Sequence, residues 1–388
     1  MMPVLLWTDA LIFMLSVVVI IFVIYARSKP HLRMPWLRVF KGRIAAASVV
    51  VLLAFVVVGL LDSLHFRLQL EDNGNNDATH YSVEVLSVLD VMLGPVRTQV
   101  EKTYSAPFAT HLIAKEPIER EDGSKIRDYP RLQYGGRHLP ASGEGRARDI
   151  LQRSLLALAE ALLAGALILY IIALLLGRRS GRSSRRMLQR IMAGDTVLPW
   201  RTIIITGTLL LLLVFLAVNL ASAYHVLGTD KVGQDVFYQS LKSIRTGLLI
   251  GTLTTLIMLP FAVFMGIVAG YARGWTDDVV QYTYTTLNSI PGVLLIAASI
   301  LMLQVYIANH PEYFETTVER ADIRLLFLCI ILGITSWTGL CRLLRGETLK
   351  LREAEYIQAA VSFGVAHGKI ITRHILPNVM HVVLITVV

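Results

Sequence analysis

The chain has 388 residues, of which 54% are hydrophobic and only 17% charged, against roughly 25% charged in a soluble domain. Its apolar residues come in long blocks, which excludes a disordered chain, a collagen-like fibre and an ordinary soluble enzyme. The formal charge of +9 is carried in short loops between those blocks, without the interleaved aromatics of a nucleic-acid patch.

Taken in chain order, seven apolar runs approach the ~20 residues needed to cross a bilayer. They cover 4–25, 44–61, 154–176, 202–223, 245–270, 281–306 and 325–344. An eighth begins after Pro377 and stops at Val388, so the reading expects a chain truncated before its last span or two. The first run is not a typical signal peptide. No basic residue precedes it, and Arg27 and Lys29 lie on its far side. Trp7, Tyr25, Trp200 and Tyr224 flank spans as an interfacial belt would.

Lysine and arginine in the short loops set orientation. The loop after the first span carries Arg27, Lys29, Arg33, Arg38, Lys41 and Arg43 with no acid. The loop after the third carries Arg178, Arg179, Arg182, Arg185, Arg186, Arg190 and Arg201 against Asp195 alone. Both are expected in the cytoplasm, read simply as orientation signals. The N-terminus, the 62–153 insert and the 224–244 loop are then periplasmic, and 345–376 is cytoplasmic. Within the insert, Val83, Leu86, Leu89, Leu93 and Val96 share a helical face, so 82–102 is predicted to be helical. The Gly- and Pro-rich stretch 116–149 is predicted to be mostly loop. His65, His80, His111 and His138 show no ligand spacing, and no metal site is expected. Cys329 and Cys341 lie in one apolar run, about 18 Å apart along a helix, and exclude a disulfide scaffold or thiolate zinc site. The expected organisation is N-terminal spans (1–61), a periplasmic insert (62–153), a third span with its basic loop (154–199), and a transmembrane core (200–388).

No motif for catalysis stands out. Gly364–Ile370 is one residue short of a P-loop and has isoleucine where Ser or Thr would hold magnesium. There is no His-Glu-x-x-His pair and no Gly-x-Ser-x-Gly elbow. No catalytic residue, cofactor or metal ligand is assigned.

The informative segment is 351–378, which reads as a helix–turn–helix between two spans. Glu353 and Glu355 suit a helix start, Ala359 and Ala360 allow close approach of another surface, and Gly364 permits the positive φ that ends a helix. A second short helix is expected to run to His374, with Pro377 restarting the chain into the membrane. A rigid helix beneath a bundle can act as a lever on it.

This segment resembles the EAA loop of bacterial ABC importer permeases, written EAA---G---------I-LP. Ala359, Ala360, Gly364, Leu376 and Pro377 fall in register, with Gln358 in place of Glu and His374 in place of Ile. The wording around Glu355, Tyr356 and Asn378 is closer to the dipeptide/oligopeptide/nickel branch. In the same order, Leu227–Val236 resembles that branch's LGTDxxGRD signature, with Gln234 where Arg is usual. Gly270–Asp277 resembles its first cytoplasmic loop, and Ser289-Ile290-Pro291 and Ser336–Arg345 resemble its spans. The resemblance covers roughly 200–388 and implies an all-α polytopic fold, a type I permease core preceded by extra spans and an insert.

By that resemblance, Glu355, Tyr356, Ala359, Ala360, Gly364, Leu376 and Pro377 couple the chain to ATPases. Gly228, Thr229, Asp230, Gly233 and Asp235 form the periplasmic signature loop, in which turn chemistry is the favoured role of the two aspartates. Asn288 and Ser289 are candidates for lining the pathway, or for bonding backbone freed by Pro291. The implied protein is the permease subunit of an ATP-driven importer of short peptides or similar small solutes, in the bacterial inner membrane. Its implied partners are a second permease, two cytoplasmic ATPases, which would hydrolyse the ATP, and a periplasmic substrate-binding protein. A membrane sensor or scaffold using 62–153 is the alternative from another class. A secondary transporter would want an internal repeat and coupling-ion residues, and neither is visible.

Overall fold

Uninterrupted apolar runs form helices because in lipid every backbone N–H and C=O must be satisfied within the segment. The structure, a computed structural model, describes residues 2–69, 81–119, 125–140, 144–181, 183–314 and 316–387. The chain divides into two units, Met1–Val4 with Ile12–Arg245, and Leu5–Leu11 with Thr246–Val388.

The elements up to residue 245 are, in order, β1 (Met2–Val4), α1 (Trp7–Ser28), α2 (Pro30–Lys41), α3 (Arg43–Ser63), β2 (His65–Gln69), β3 (Tyr81–Ser87), α4 (Val88–Met92), α5 (Gly94–Thr98), β4 (Glu116–Glu119), β5 (Lys125–Asp128), α6 (Arg146–Arg179), α7 (Ser184–Ala193) and α8 (Trp200–Ala221). Helices α6 and α8 pack along each other. Ala157, Ala161 and Ala173 are fully buried or nearly so. A β-carbon on Gly165 would lie 2.5 Å from the Thr208 hydroxyl. Small side chains let helices approach closely where there is no hydrophobic effect between them to exploit.

The remaining elements are α9 (Val236–Ala272), α10 (Trp275–Ser289), α11 (Gly292–Asn309), a single 3₁₀ turn (Pro311–Tyr313), α12 (Thr317–Arg352), α13 (Glu355–Ser362), α14 (His367–Ile370), a π-helical turn (Ile371–Ile375) and α15 (Leu376–Val387). The core of the second unit gathers Ile267, Trp337, Leu344, Ile357, Ile370 and Val379. Gly266 and Gly270, four residues apart on α9, face α12. A β-carbon would come within 2.8 Å of Leu344 Cβ at the first and 2.6 Å of Thr348 Cβ at the second. A capping box between Thr316 and Glu319 starts α12. At that end Thr8 binds Asp322 through both its hydroxyl and its backbone N–H.

Among the described residues, seven helices are long and apolar enough to cross a membrane, and the fold is that of an all-α multi-pass membrane protein. Three expectations are corrected in detail. The predicted span 281–306 is broken: α10 ends at Ser289 and α11 starts at Gly292, with Ile290 extended. Pro291 explains this, because the residue before a proline is driven out of the helical region. The predicted helix 82–102 begins as a strand. Tyr81–Ser87 alternates, and it pairs antiparallel with β2, Phe66 opposite Leu86 and Arg67 opposite Val85. Only its later part is helical, as the short α4 and α5. The stretch 116–149 is less loop-like than expected, because β4 and β5 form a hairpin with Ile118 opposite Ile126 and α6 already begins at Arg146. Among the singled-out residues, His80 and Arg182 lie outside the described residues.

Candidate functional site

The first site is built on the segment after α12. Its helix α13 turns Ile357 inward, fully buried, while Glu355, Tyr356, Gln358, Ala359, Val361 and Phe363 face outward. Gly364 has φ +74°. The Gly364 N–H donates to the Val361 carbonyl at 2.9 Å and the Val365 N–H to the Ala360 carbonyl at 3.1 Å. This is the Schellman pattern that a left-handed residue makes possible. The chain then re-enters the core through Ile370 and Ile375, both fully buried. A π-helical turn, not a break, carries it into α15. Pro377 has no N–H to donate, and a wider turn ahead of it accommodates that loss. Leu376 packs against the core, and Pro377 is exposed. Glu353 caps the end of α12, and Glu355 opens α13.

This loop is braced against the end of α9 and the start of α10. The Tyr271 hydroxyl lies 2.7 Å from His367 Nδ1. Arg352 donates to the Tyr271 carbonyl at 2.9 Å, and Arg273 pairs with Glu353. Between them lies an open groove of about 820 Å³ bordered by Arg273, Arg352, Glu353, Gln358 and His367. Deeper in, Arg345 holds Asp277 with two parallel bonds of 2.5 and 2.7 Å. That guanidinium keeps the Asp277 carboxyl below the ordinary carboxylate range, against a smaller opposing effect of burial. The result is a rigid, mostly polar platform that presents Tyr356, Val361 and Phe363 as exposed apolar side chains; Phe363 is 86% exposed.

The second site is the loop between α8 and α9. Asp230 accepts from the N–H groups of Val232 and Gln234, each at 2.9 Å. Asp235 accepts from the Phe237 and Tyr238 N–H groups at the start of α9. Both aspartates therefore shape backbone. Gln234, standing where the resembling family has Arg, bonds to Gln239 at 3.0 Å. Gly228 and Gly233 have φ of +77° and +82°. At both, a β-carbon would run into backbone carbonyls of the insert, those of Ser105 and Glu101. The Thr229 hydroxyl donates to the Thr103 carbonyl at 2.7 Å.

The insert is joined to this loop by a buried triad. His225 Nδ1 lies 2.7 Å from Asp235 and Nε2 lies 3.3 Å from Glu101. Glu101 also accepts from the N–H groups of Gln133, Tyr134 and Gly135. Burial alone would push the Glu101 carboxyl up; the hydrogen bonds from His225 and those three amides outweigh it and hold it at about 2. Burial alone would push His225 down; the two carboxylates outweigh it and raise the imidazole to about 9. The imidazolium is thus the charged state of the latch at neutral pH. Nearby, Asp90 is held at about 2, with burial opposing and Lys242, Tyr238 and the Ser87 N–H prevailing. Lys242 also pairs with Asp62 at 3.0 Å.

Sequence reasoning missed Glu101 and His225. His225 stands two residues before the signature, which is a usable signal, but nothing local marks Glu101. Asn288 is exposed and accepts from the Thr338 hydroxyl at 3.0 Å. The Ser289 hydroxyl donates to its own helix, at the Thr286 carbonyl. Among the described residues, no cluster of three His, Cys, Asp or Glu is arranged to hold a metal ion.

Long apolar helices and a short helical loop packed against the core at one end of them define a multi-pass helical membrane protein. Residues 262–388 match the family described as binding-protein-dependent transport system inner membrane component. Over this segment the chain is similar to that family. Among curated relatives, it is 31% identical to the oligopeptide transport system permease protein of Mycobacterium bovis, over 42% of this chain and 50% of that protein. The corresponding oligopeptide permease of Haemophilus influenzae is 32% identical over 41% of this chain and 46% of its own length. The glutathione transport system permease of Pectobacterium atrosepticum is 31% identical over 40% and 46%. The chain therefore spans about half the length of the curated relatives it matches.

Proposed function

We propose that this chain is the permease subunit of an ATP-driven importer and forms half of a translocation pathway for short peptides or similar small solutes. The carrying observation is the α13–Gly364–α14 loop: anchored by Ile357 and Ile370, braced by Tyr271 and Arg352, and exposing Tyr356, Val361 and Phe363. The family match over the same residues supports it, as do the peptide and glutathione permeases among the relatives. Glu355, Tyr356, Ala359, Ala360 and Gly364 form the face that an ATPase subunit engages, and Leu376 and Pro377 carry its displacement into α15. ATP is bound and hydrolysed by those subunits. A second permease and a substrate-binding protein complete the assembly.

In this reading the N-terminus, the 62–153 insert and the signature loop with Gly228, Thr229, Asp230, Gly233 and Asp235 face the periplasm, and 351–378 faces the cytoplasm. The lysine and arginine content of the short loops supports that orientation. Asn288 lines the pathway; Ser289 serves its helix end instead. Affinity purification of the tagged full-length chain in mild detergent tests the proposal. Co-purification of a P-loop ATPase and a second multi-span protein is expected, together with loss of the ATPase in Phe363→Glu. Recovery of neither from a well-inserted protein overturns it and favours a sensor built on 62–153.

A further inference from the structure

The loop between α6 and α8 is more than a charged connector. Helix α7 folds back and seats Met187 and Ile191, 7% and 1% exposed, against Ala173, Leu176, Trp200 and Ile204. Gly194, at φ +83°, closes it, with the Asp195 N–H returning to the Arg190 carbonyl at 3.0 Å. The helix is therefore fixed at the level where α6 leaves the apolar layer and Trp200 begins α8. Arg178, Arg179, Arg185, Arg186, Arg190 and Arg201 are all exposed. Among the described residues none of the six has a carboxylate partner. The one acid of the loop, Asp195, is exposed too.

An orientation signal needs only the charges. It does not need a folded helix, nor apolar side chains standing out beside the arginines. Met192 is 59% and Val197 76% exposed. Guanidinium groups carried on an anchored helix next to outward apolar groups, at the edge of a pair of candidate spans, match the layering of an interfacial amphipathic helix. Guanidinium presents a donor fork that fits a phosphate with two parallel bonds. A soluble acidic protein would complement the charges but leave Met192 and Val197 unexplained.

We infer that α7 and the flanking ends of α6 and α8 form a binding surface for anionic phospholipid headgroups. Arg185, Arg186 and Arg190 engage the phosphodiesters, and Met192 and Val197 enter the acyl boundary. The inference rests on the chain spanning a membrane and not on its transport activity.

The test uses the full chain reconstituted in nanodiscs of phosphatidylcholine with a minor share of phosphatidylglycerol, followed by native mass spectrometry of retained lipid. The wild type is expected to retain phosphatidylglycerol in excess of its bulk share. Each basic residue near an anionic surface is worth roughly fivefold, so R185Q/R186Q/R190Q is expected to lose that preference by up to about a hundredfold. R185K/R186K/R190K, which keeps the charge, should recover much of it. The remaining basic residues of both loops preserve orientation, checked with a reporter fused after Lys350. Equal retention in wild type and R185Q/R186Q/R190Q overturns the proposal. So does displacement of the lipid by millimolar inorganic phosphate, which would make the site one for a free anion. Loss of ATPase co-purification without loss of lipid preference would refute the importer reading and leave this one standing.

Discussion

Replacing His225 by alanine removes the cation between two carboxylates whose side chains are 3% and 1% exposed, Glu101 and Asp235. Two routes give the cost. The imidazole is raised from 6.5 to about 9, and 2.5 units at ~1.36 kcal/mol each is about 3 kcal/mol. Removing one partner of a buried charge pair typically costs about 3–5 kcal/mol. The sign with pH follows. The raised His225 contributes fully below 6.5, and its contribution is lost as pH climbs through about 9. The lowered Glu101 contributes above 4.5 and is lost as pH falls through about 2. The latch is therefore at full strength between 4.5 and 6.5. Hydrogen exchange at the Gln133, Tyr134 and Gly135 amides, which Glu101 binds, reads this directly. At pH 6, His225→Ala should accelerate their exchange by roughly a hundredfold, since each ~1.4 kcal/mol is a factor of ten. Amides of α13 serve as the control. After correction for intrinsic rates, the wild type should itself lose protection at pH 10. Unchanged protection in His225→Ala at pH 6, or equal wild-type protection at pH 6 and 10, would refute the charged-latch argument.

Four further outcomes are expected. Gly364→Arg should abolish uptake of a labelled peptide while membrane insertion stays normal: among the described residues, nothing beyond its chain neighbours lies within 4 Å of the β-carbon position, so the damage is the positive φ, ~1–2 kcal/mol, and a bulky charge on the proposed docking face. Gly364→Asn, which tolerates that φ, should retain most uptake. Gly233→Ala should open 62–153 to protease, because its β-carbon collides with the Glu101 backbone. Gly270→Val should sharply reduce the yield of monodisperse protein, whereas Gly247→Val, with open space around it, should not. Arg345→Lys keeps the charge but loses the parallel pair to Asp277, and thermal stability in detergent should fall by about 1–3 kcal/mol.

The spans were legible because membrane insertion sums local transfer free energies, and a run such as Val17–Val23 states its preference without help from distant residues. The 351–378 loop was legible for a similar reason. Ala359, Ala360, Gly364 and Pro377 act through their own size and backbone, and the structure gives Gly364 the positive φ that its position called for. The reading failed where two local preferences nearly balanced. Tyr81–Ser87 satisfies a helical spacing and a strand alternation at once, and only pairing with β2 decides between them. At Asn288 and Ser289 the sequence offered two roles. The Ser289 hydroxyl turns to its own helix, whereas Asn288 is paired with Thr338, fifty residues away.

By itself, then, the sequence determined the membrane class, the seven apolar runs and the turn residues, all of which depend on interactions within a few residues. Only the tertiary structure decided what the extra segments are attached to. Glu101 meets His225 across 124 residues and Thr8 meets Asp322 across 314. A buried charge tolerates so distant a partner because desolvation makes its absence far costlier than the loop entropy of bringing it there, which grows only logarithmically with length.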